Sequence, residues 1–111
     1  MKIYQNTKIA SNKSLYISGQ TTSKDGHTPQ NIEEQTEIVL GKITDALLEN
    51  NLTVDDLVKI TIYITDISYL PGVRKQLTTF VGESKPTSTL VVVAGLIDPD
   101  FKIEIDGIAA F

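Results

Sequence analysis

Two residue types limit the chemistry open to this chain. Its 111 residues include no Cys and a single His, His27. Thiolate nucleophiles, disulfides and Cys-ligated zinc are therefore excluded, and one imidazole does not suffice for a His-rich metal site or a His-based triad within one chain. His27 follows Gly26 in a polar loop, where we expect it to be exposed to solvent and to hold no metal.

Carboxylates, hydroxyls and one guanidinium remain as candidates. Glu104 and Asp106 alternate with apolar residues near the C-terminus, and on this alternation alone Glu104 is a solvated carboxylate of a strand. Arg74 is the only Arg of the chain and, taken alone, is an exposed charge on a helix. Ser18 precedes Gly19 at the end of a β-like segment, where a polar residue before a turn is common.

Length and composition predict one soluble domain over residues 1–111, with a mass of 12.2 kDa. Ten Lys and Arg residues stand against 14 Asp and Glu, so the net charge is −4, which disfavours a dedicated nucleic-acid binder. Hydrophobic residues make up 41% of the chain and charged residues 22%, as in folded globular proteins. Residues 1–6 contain no signal-like apolar run, and no 18 apolar residues occur together. We therefore expect a cytoplasmic protein without a membrane span.

The spacing of apolar residues predicts the elements that must position these side chains. Two short β-like pieces open the chain, the second being Ser14–Gln20, and residues 21–31 form a polar loop. A helix is predicted over about residues 31–50. Its apolar stripe consists of Ile32, Thr36, Val39, Ile43, Ala46 and Leu47.

The second half of the chain alternates between strands and one further helix. Leu57–Asp66 has the period of a half-buried strand, and a helix with Pro71 in its first turn follows. The apolar anchors of that helix are Leu70, Val73, Leu77 and Phe80. Two more strands are predicted at Thr87–Val93 and, after a turn at Asp98–Asp100, from Phe101 onward. The order β-β-α-β-α-β-β predicts an α+β fold, a single sheet with two helices on one face.

This arrangement leaves one face of the sheet without a cover. The uncovered face would carry Tyr16, Tyr63, Ile108 and either Leu90 and Val92 or Val91 and Val93. An apolar surface of this size is unusual on a monomer. Another copy of the chain is the simplest cover, so a closed cyclic oligomer is predicted.

Four segments of the sequence resemble the signatures of one family. Tyr16–Gln20 reads YISGQ and resembles an SGQ signature, and Asp56–Asp66 reads DLVKITIYITD and resembles a DVVK-T-V-(Y/F)-(V/L)-x-D strand. Val73–Phe80 is similar to the second-helix pattern, and Lys102–Ala109, KIEIDGIA, resembles a closing KIEIEAIA segment. The segments occur in the family's order from about Leu15 to the C-terminus. The sequence thus resembles the Rid family, the reactive intermediate deaminases, also called the YjgF or L-PSP family.

The resemblance implies a fold, an assembly and an activity. The fold is chorismate-mutase-like, and three copies form a homotrimer whose sheets make a central barrel, with ligands bound in the clefts between subunits. Active members hydrolyse 2-imino acids such as 2-iminobutanoate and 2-iminopropanoate to 2-oxo acids and ammonia, without a cofactor. The partners implied are therefore two further copies of the chain and a small carboxylate-bearing metabolite.

Three residues match cleft positions of the family. Glu104 matches the Glu that positions the attacking water and relays its proton, and Ser18 matches the signature serine that lines the cleft. Leu90 falls where the family contacts the ligand through main-chain groups, so that its side chain would be a wall of the cleft. Tyr4 lies one residue away from the position of the family's cleft Tyr, and ordinary packing is an equal alternative for it.

Two positions depart from the pattern. Active members anchor the substrate carboxylate with an Arg two residues after a Pro, because a guanidinium grips a carboxylate with two parallel hydrogen bonds. Here Ser88 occupies that position after Pro86, and Arg74 stands where active members carry an Asn. Either Arg74 has taken over anion binding or the anchor is lost. Two hypotheses follow: an imine deaminase that uses Glu104, or a trimer that binds a metabolite without turning it over.

Overall fold

The computed structural model describes Thr7 and residues 13–111. Within these residues two α-helices and four strands are formed, in the order β1 Ser14–Gln20, α1 Ile32–Glu49, β2 Leu57–Ile64, α2 Leu70–Val81, β3 Thr87–Val92 and β4 Ile103–Ala110. The described elements follow the predicted order. The earlier of the two predicted β-like pieces, and Tyr4 with it, lie outside the described residues.

Helix α1 is bounded by asparagines. The Oδ1 atom of Asn31 accepts hydrogen bonds from the backbone N–H groups of Glu33 at 2.8 Å and Glu34 at 3.1 Å, which satisfies two of the donors left free at a helix N-terminus. Both glutamates also suit the positive end of the helix dipole. At the other end Asn50 caps the helix and Asn51 has a positive φ of 61°. The predicted boundaries of this helix are confirmed.

Helix α2 begins where its sequence predicts and ends at a glycine. Pro71 lies in the first turn, where its missing N–H costs nothing and its fixed φ suits the helix. Val73 and Leu77 are buried on the inner side. The helix stops at Gly82, which has a φ of 51°, a left-handed conformation that glycine adopts readily.

The sheet is mixed, with the strand order β1-β4-β2-β3. Strand β4 pairs antiparallel with both β1 and β2, whereas β3 runs parallel to β2. The parallel pair is possible because α2 forms the crossover between its two strands. Among the described strands, β1 and β3 lie at the edges of the sheet, and β4, which carries Glu104, is central.

Both helices pack on one face of the sheet. Ile60, Ile62 and Ile64 of β2 and Ile103 and Ile105 of β4 are at most 2% exposed. The helical side chains packed with them into one cluster are Val39, Leu40, Ile43, Leu47, Val73 and Leu77. Burial of side chains of this size contributes about 1.5–3 kcal/mol each. The expected α+β arrangement, one sheet with two helices on one face, is confirmed.

The strand register decides which β3 residues belong to the other, open face. Val91 lies opposite Tyr63, whose neighbours in β2 face the helices, so Val91 is on the open face. Leu90 and Val92 pair with Ile62 and Ile64 and point to the helical side. Of the two alternatives derived from the sequence, the one containing Val91 is therefore correct.

A buried amide fixes the start of β4. Gln35 of α1 has no exposed surface and donates hydrogen bonds to the carbonyl oxygens of Pro29 at 2.7 Å and Asp100 at 2.9 Å. Its Oε1 accepts a hydrogen bond of 2.8 Å from the backbone N–H of Lys102. A buried polar group is stable only when it is paired in this way. The contact ties α1 to the chain two residues before Glu104.

Candidate functional site

Two carboxylates on the open face of β4 have different surroundings. Glu104 lies opposite Tyr63 in the β2–β4 ladder, and Asp106 lies opposite Thr61. The Tyr63 hydroxyl reaches diagonally and donates a hydrogen bond of 2.9 Å to Oδ2 of Asp106, a geometry that neighbouring strands allow. Within the described residues, no hydrogen bond or ion pair engages the Glu104 carboxylate. Glu104 is thus the carboxylate of this pair that is available to a ligand or water.

The Asp106 contact also holds Tyr63 in its neutral form. The hydrogen bond to Asp106 raises the pKa of the Tyr63 phenol above its ordinary value of about 10, and partial burial and the negative charges of Asp106 and Glu104 act in the same direction. A protonated phenol is therefore a stable donor to Asp106 throughout the neutral range. Asp106 therefore keeps this donor over the same range.

The raised pKa of Tyr63 predicts an alkaline loss of stability. Because the folded-state pKa exceeds the unfolded one, the contribution is fully present below about pH 10 and is lost as the pH rises through the folded-state pKa. Thermal unfolding followed from pH 8 to pH 12 should show a smaller alkaline decrease for Tyr63→Phe than for the wild type. In an ultraviolet phenolate titration, Asp106→Asn should bring one tyrosine back toward its ordinary pKa. Identical titrations of wild type and Asp106→Asn would contradict this assignment.

A β-bulge brings the SGQ segment next to Glu104. In the β1–β4 ladder Ile17 pairs with Gly107 and Gln20 pairs with Ile105, so Ser18 and Gly19 together face the one intervening residue of β4. Ser18 is exposed. A Cβ atom built on Gly19 would lie 2.9 Å from Cδ of Glu104, so the Glu104 carboxyl group lies directly against the Gly19 backbone. The structure therefore places the Ser18–Gly19 segment beside Glu104.

The other three predicted site residues lie on the opposite side of the sheet. Ser88 and Leu90 of β3 pair with Ile60 and Ile62, whose side chains face the helices. Both are half-buried, and Leu90 packs against the edge of the core. Arg74 belongs to α2 on that same side of the sheet, is exposed, and has no ion-pair partner within the described residues.

Within one chain the predicted site is therefore divided into two groups. Strands lie about 4.8 Å apart, and β4 and β3 are separated by β2. Glu104 and Ser88 are therefore roughly 10 Å apart across the sheet, a further three residues or about 10 Å apart along the strands, and on opposite faces. The first group, Ser18 and Glu104, lies on the open face near the β1 edge. The second group, Ser88, Leu90 and Arg74, lies on the helical side. Its two strand residues belong to β3. A single chain does not bring the two groups into one pocket.

A groove seen on the single chain lies away from both groups. It has a volume of about 520 Å³ and runs along α1, where it is lined by Ser23, Lys24, Asp25, Glu37, Lys42 and Asp45. No predicted site residue is part of it. His27 is exposed and pairs through its backbone with Lys24. Across Thr7 and residues 13–111, no cluster of three or more His, Asp or Glu side chains suited to a metal ion is formed.

Sequence reasoning missed two contributors to this site. The Tyr63–Asp106 hydrogen bond depends on which residues of β2 and β4 stand opposite each other, and one sequence does not contain that register. The close approach of Gly19 to Glu104 depends on the bulge in β1. The only local signal was the Gly itself, which breaks the β pattern of Ser14–Gln20 and in a strand often marks a bulge or a close contact.

Comparison with known proteins places the chain among its relatives. The family model described as Endoribonuclease L-PSP matches residues 2–111. "Protein mmf2, mitochondrial" of Schizosaccharomyces pombe is 31% identical over 109 residues, which cover 95% of this chain and 86% of that protein. TdcF of Escherichia coli K12, named as a proposed reactive intermediate deaminase, is 29% identical over 100 residues, which cover 86% of this chain and 77% of TdcF.

A solved structure has the same fold. Rv2704 of Mycobacterium tuberculosis, a member of the YjgF/YER057c/UK114 family, aligns with a TM-score of 0.81 and 31% identity over 88% of this chain and 79% of that chain. The chain therefore belongs to the endoribonuclease L-PSP family, the Rid or YjgF family that its motifs resemble. Within the described residues, neither helix has the length and apolar character that crossing a membrane would require.

Proposed function

We propose that the protein is a Rid-type homotrimer with a small-molecule site in each cleft between subunits, where Glu104 handles the water of an imine hydrolysis. The observation that carries the proposal is the Glu104 carboxylate. It lies on the open face beside Ser18 and has no donor within the described residues, while its neighbour Asp106 is occupied by Tyr63. A general base needs such a free oxygen within reach of a water molecule.

The proposed reaction converts a 2-imino acid to a 2-oxo acid. A water molecule forms a C–O bond to the imine carbon as Glu104 accepts one of its protons, and the electron pair of the C=N bond moves to nitrogen. Glu104 then returns the proton to the nitrogen, which gives a carbinolamine. The remaining hydroxyl proton is passed through Glu104 to the nitrogen as the C=O bond forms and the C–N bond breaks, so that ammonia leaves. The reaction is a hydrolysis, so it needs neither an oxidant nor a cofactor. The name of TdcF as a proposed reactive intermediate deaminase supports this class of reaction.

The trimer is supported by the open face and by the division of the site. Tyr16 is 75% exposed and Val91 38% exposed on a sheet face that no element of the described chain covers. Closed symmetric contact with further copies would bury this face. Contact between the open face of one copy and the β3 edge of the next would also join the Glu104 group to the Ser88 group, completing one cleft from two subunits.

Loss of catalysis in the same trimer is the alternative, and Ser88 favours it. A hydroxyl at the position of the family's Arg holds a carboxylate by one neutral hydrogen bond in place of a charged fork. The protein would then bind a metabolite in the cleft without hydrolysing it.

Nuclease activity, which the family's name suggests, is not supported by the charge of the chain, because a net charge of −4 disfavours binding to nucleic acid. We propose a cytoplasmic location. The relative mmf2 is named as mitochondrial, so a mitochondrial location is the alternative, and cell fractionation distinguishes the two.

Glu104→Gln tests the proposed role. Release of ammonia from 2-iminobutanoate, generated in the assay by a coupled enzyme, should fall by about 10²–10⁴ in kcat relative to wild type, the usual contribution of a general base. Asp106→Asn is the matched control, because it removes the neighbouring carboxylate of the same strand face, and it should lose far less. If wild-type activity is close to the detection limit, the same pair of changes is made in the Ser88→Arg background.

The outcomes separate the two hypotheses. Turnover that depends on Glu104 supports the deaminase. Binding of a 2-oxo acid in calorimetry, with no ammonia release in either background, supports the metabolite-binding alternative. Equal rates for wild type and Glu104→Gln would refute the role of Glu104.

A further inference from the structure

Gly19 occupies its position for a reason other than backbone conformation. The glycines with φ in the left-handed region, within the described residues, are Gly26 and Gly82. Gly19 is not among them, so its backbone conformation does not exclude a side chain. The obstacle to a side chain at this position is steric, and it is the Glu104 side chain.

The contact is specific to the carboxyl end of Glu104. A Cβ atom on Gly19 would lie 3.3 Å from Cγ and 2.9 Å from Cδ of Glu104, and would overlap Oε2. Separations below about 3.0 Å are essentially absent for real Cβ atoms. By contrast, a Cβ atom on Gly41 or Gly95 would meet nothing within 4 Å. Of these three exposed glycines, only Gly19 has a candidate catalytic group in the space that a side chain would occupy.

The bulge explains how one residue comes to support another on the neighbouring strand. Ser18 and Gly19 stand together against the single residue Asp106, and such an insertion turns the strand locally and redirects its residues. Tyr63, which lies opposite Glu104, directs its hydroxyl to Asp106 instead. Glu104 therefore lies in the space that a side chain at position 19 would fill, and on the Tyr63 side it has no competing hydrogen bond.

We infer that Gly19 is a positioning residue for Glu104: its lack of a side chain sets where the Glu104 carboxylate lies in the cleft. The catalytic consequence rests on the proposed function, whereas the placement of the carboxylate does not. A methyl group at position 19 would displace the carboxylate by about one ångström or more while leaving its charge intact. A displacement of that size can cost on the order of 10²-fold in rate.

The first test observes Glu104 directly and needs no turnover. Carboxyl-detected NMR should show a changed Glu104 side-chain Cδ resonance in Gly19→Ala, and a crystal structure of that variant should show the carboxylate moved. Gly41→Ala is the matched control, because it adds the same methyl group in open space, and its Glu104 signals should equal those of wild type. Unchanged Glu104 signals in Gly19→Ala overturn the inference whether or not the protein is an enzyme.

A double-mutant cycle tests the same coupling in activity. Gly19→Ala alone should lower kcat by about 10–100-fold, with a smaller effect on KM. In the Glu104→Asp background the shorter side chain withdraws from position 19, so adding Gly19→Ala should cost less than about twofold. A general folding defect at position 19 would persist in both backgrounds and would also lower the melting temperature.

The results distinguish this inference from the proposed function. Moved Glu104 signals with no turnover in either wild type or Ser88→Arg confirm the placement and refute the deaminase. Wild-type turnover that is lost in Glu104→Gln but kept in Gly19→Ala confirms the deaminase and overturns the positioning role. Equal losses from Gly19→Ala in the Glu104 and Glu104→Asp backgrounds also overturn it.

Discussion

Replacing Val91 by Asp is expected to dissociate the protein or prevent its folding. Wild type should be a trimer of about 37 kDa, three times the chain mass of 12.2 kDa. Val91 lies on the open face opposite Tyr63 and is 38% exposed in the single chain, so a second copy covering that face would bury it. An unpaired carboxylate buried there costs several kcal/mol in each subunit. Light scattering and thermal unfolding at micromolar concentration measure both effects.

Two control variants isolate the cause of the Val91→Asp effect. Val91→Thr keeps the shape of the side chain without a charge and should remain trimeric with a modest loss of stability. Lys24→Asp introduces a carboxylate in the exposed loop before α1, where it stays solvated, and should leave both mass and melting temperature nearly unchanged. If Val91→Asp remained trimeric and had the same melting temperature as Lys24→Asp, this surface would not be an interface. A monomeric, well-folded wild type would refute the trimer itself.

The helices could be predicted from the sequence because their signals are local. The stripe from Ile32 to Leu47 repeats every three to four residues, and Asn31 caps the backbone groups two and three residues ahead of it. Pro71 and Gly82 mark the two ends of α2 in the same way. Each of these determinants acts within one or two turns of its own position, so one chain segment contains all the information.

The strand pairing could not be predicted in the same way. Leu90, Val91 and Val92 are all apolar, so alternation does not distinguish their two faces. The face is set by the parallel register with β2, which pairs Leu90 with Ile62. That register pairs residues 28 positions apart and is determined by the crossover through α2. The alternation of residues within one strand carries no information about it.

The family resemblance proposes the members of the candidate site, but it does not predict their geometry. The motif resemblance selected Ser18 and Glu104, and the structure brings them together at the bulge. It selected Ser88 and Arg74 equally, and these lie on the other side of the sheet. Matching residues to a family pattern gives their identity, whereas their side of the sheet follows from the register. Their meeting in one cleft would require the proposed assembly of several chains.

Replacing Ser88 by Arg is expected to raise kcat/KM for 2-iminobutanoate by about 10²–10⁴ over a slow or undetectable wild type. Ser88 is half-buried on β3 and offers a carboxylate one neutral hydrogen bond. A guanidinium at this position would provide two parallel charge-assisted bonds, each worth about 1.5–3 kcal/mol. Together they correspond to the expected gain in transition-state binding. Initial rates of ammonia release at several substrate concentrations give the comparison.

Charge alone should not reproduce this gain. Ser88→Lys places a cation at the same position but lacks the planar fork that matches a carboxylate, so its increase should be smaller. Ser88→Arg/Glu104→Ala should lose the gain, because the anchored substrate would lack its proton acceptor. A Ser88→Arg protein as slow as wild type, with its trimer and melting temperature intact, would mean that this position does not face the substrate carboxylate.

Replacing Arg74 distinguishes two cases: the anchor for the substrate carboxylate is lost, or Arg74 has taken its place. Its guanidinium is exposed and unpaired within the described residues, on the same side of the sheet as Ser88. If the anchor is lost, Arg74→Ala should leave both the wild-type rate and the Ser88→Arg rate unchanged. If Arg74 has taken over the carboxylate, wild type should already turn over at the rate of an Arg-bearing relative, and Arg74→Ala should abolish that rate. A fast wild type that is insensitive to Arg74→Ala would contradict both, since it would require an anchor formed by neither residue.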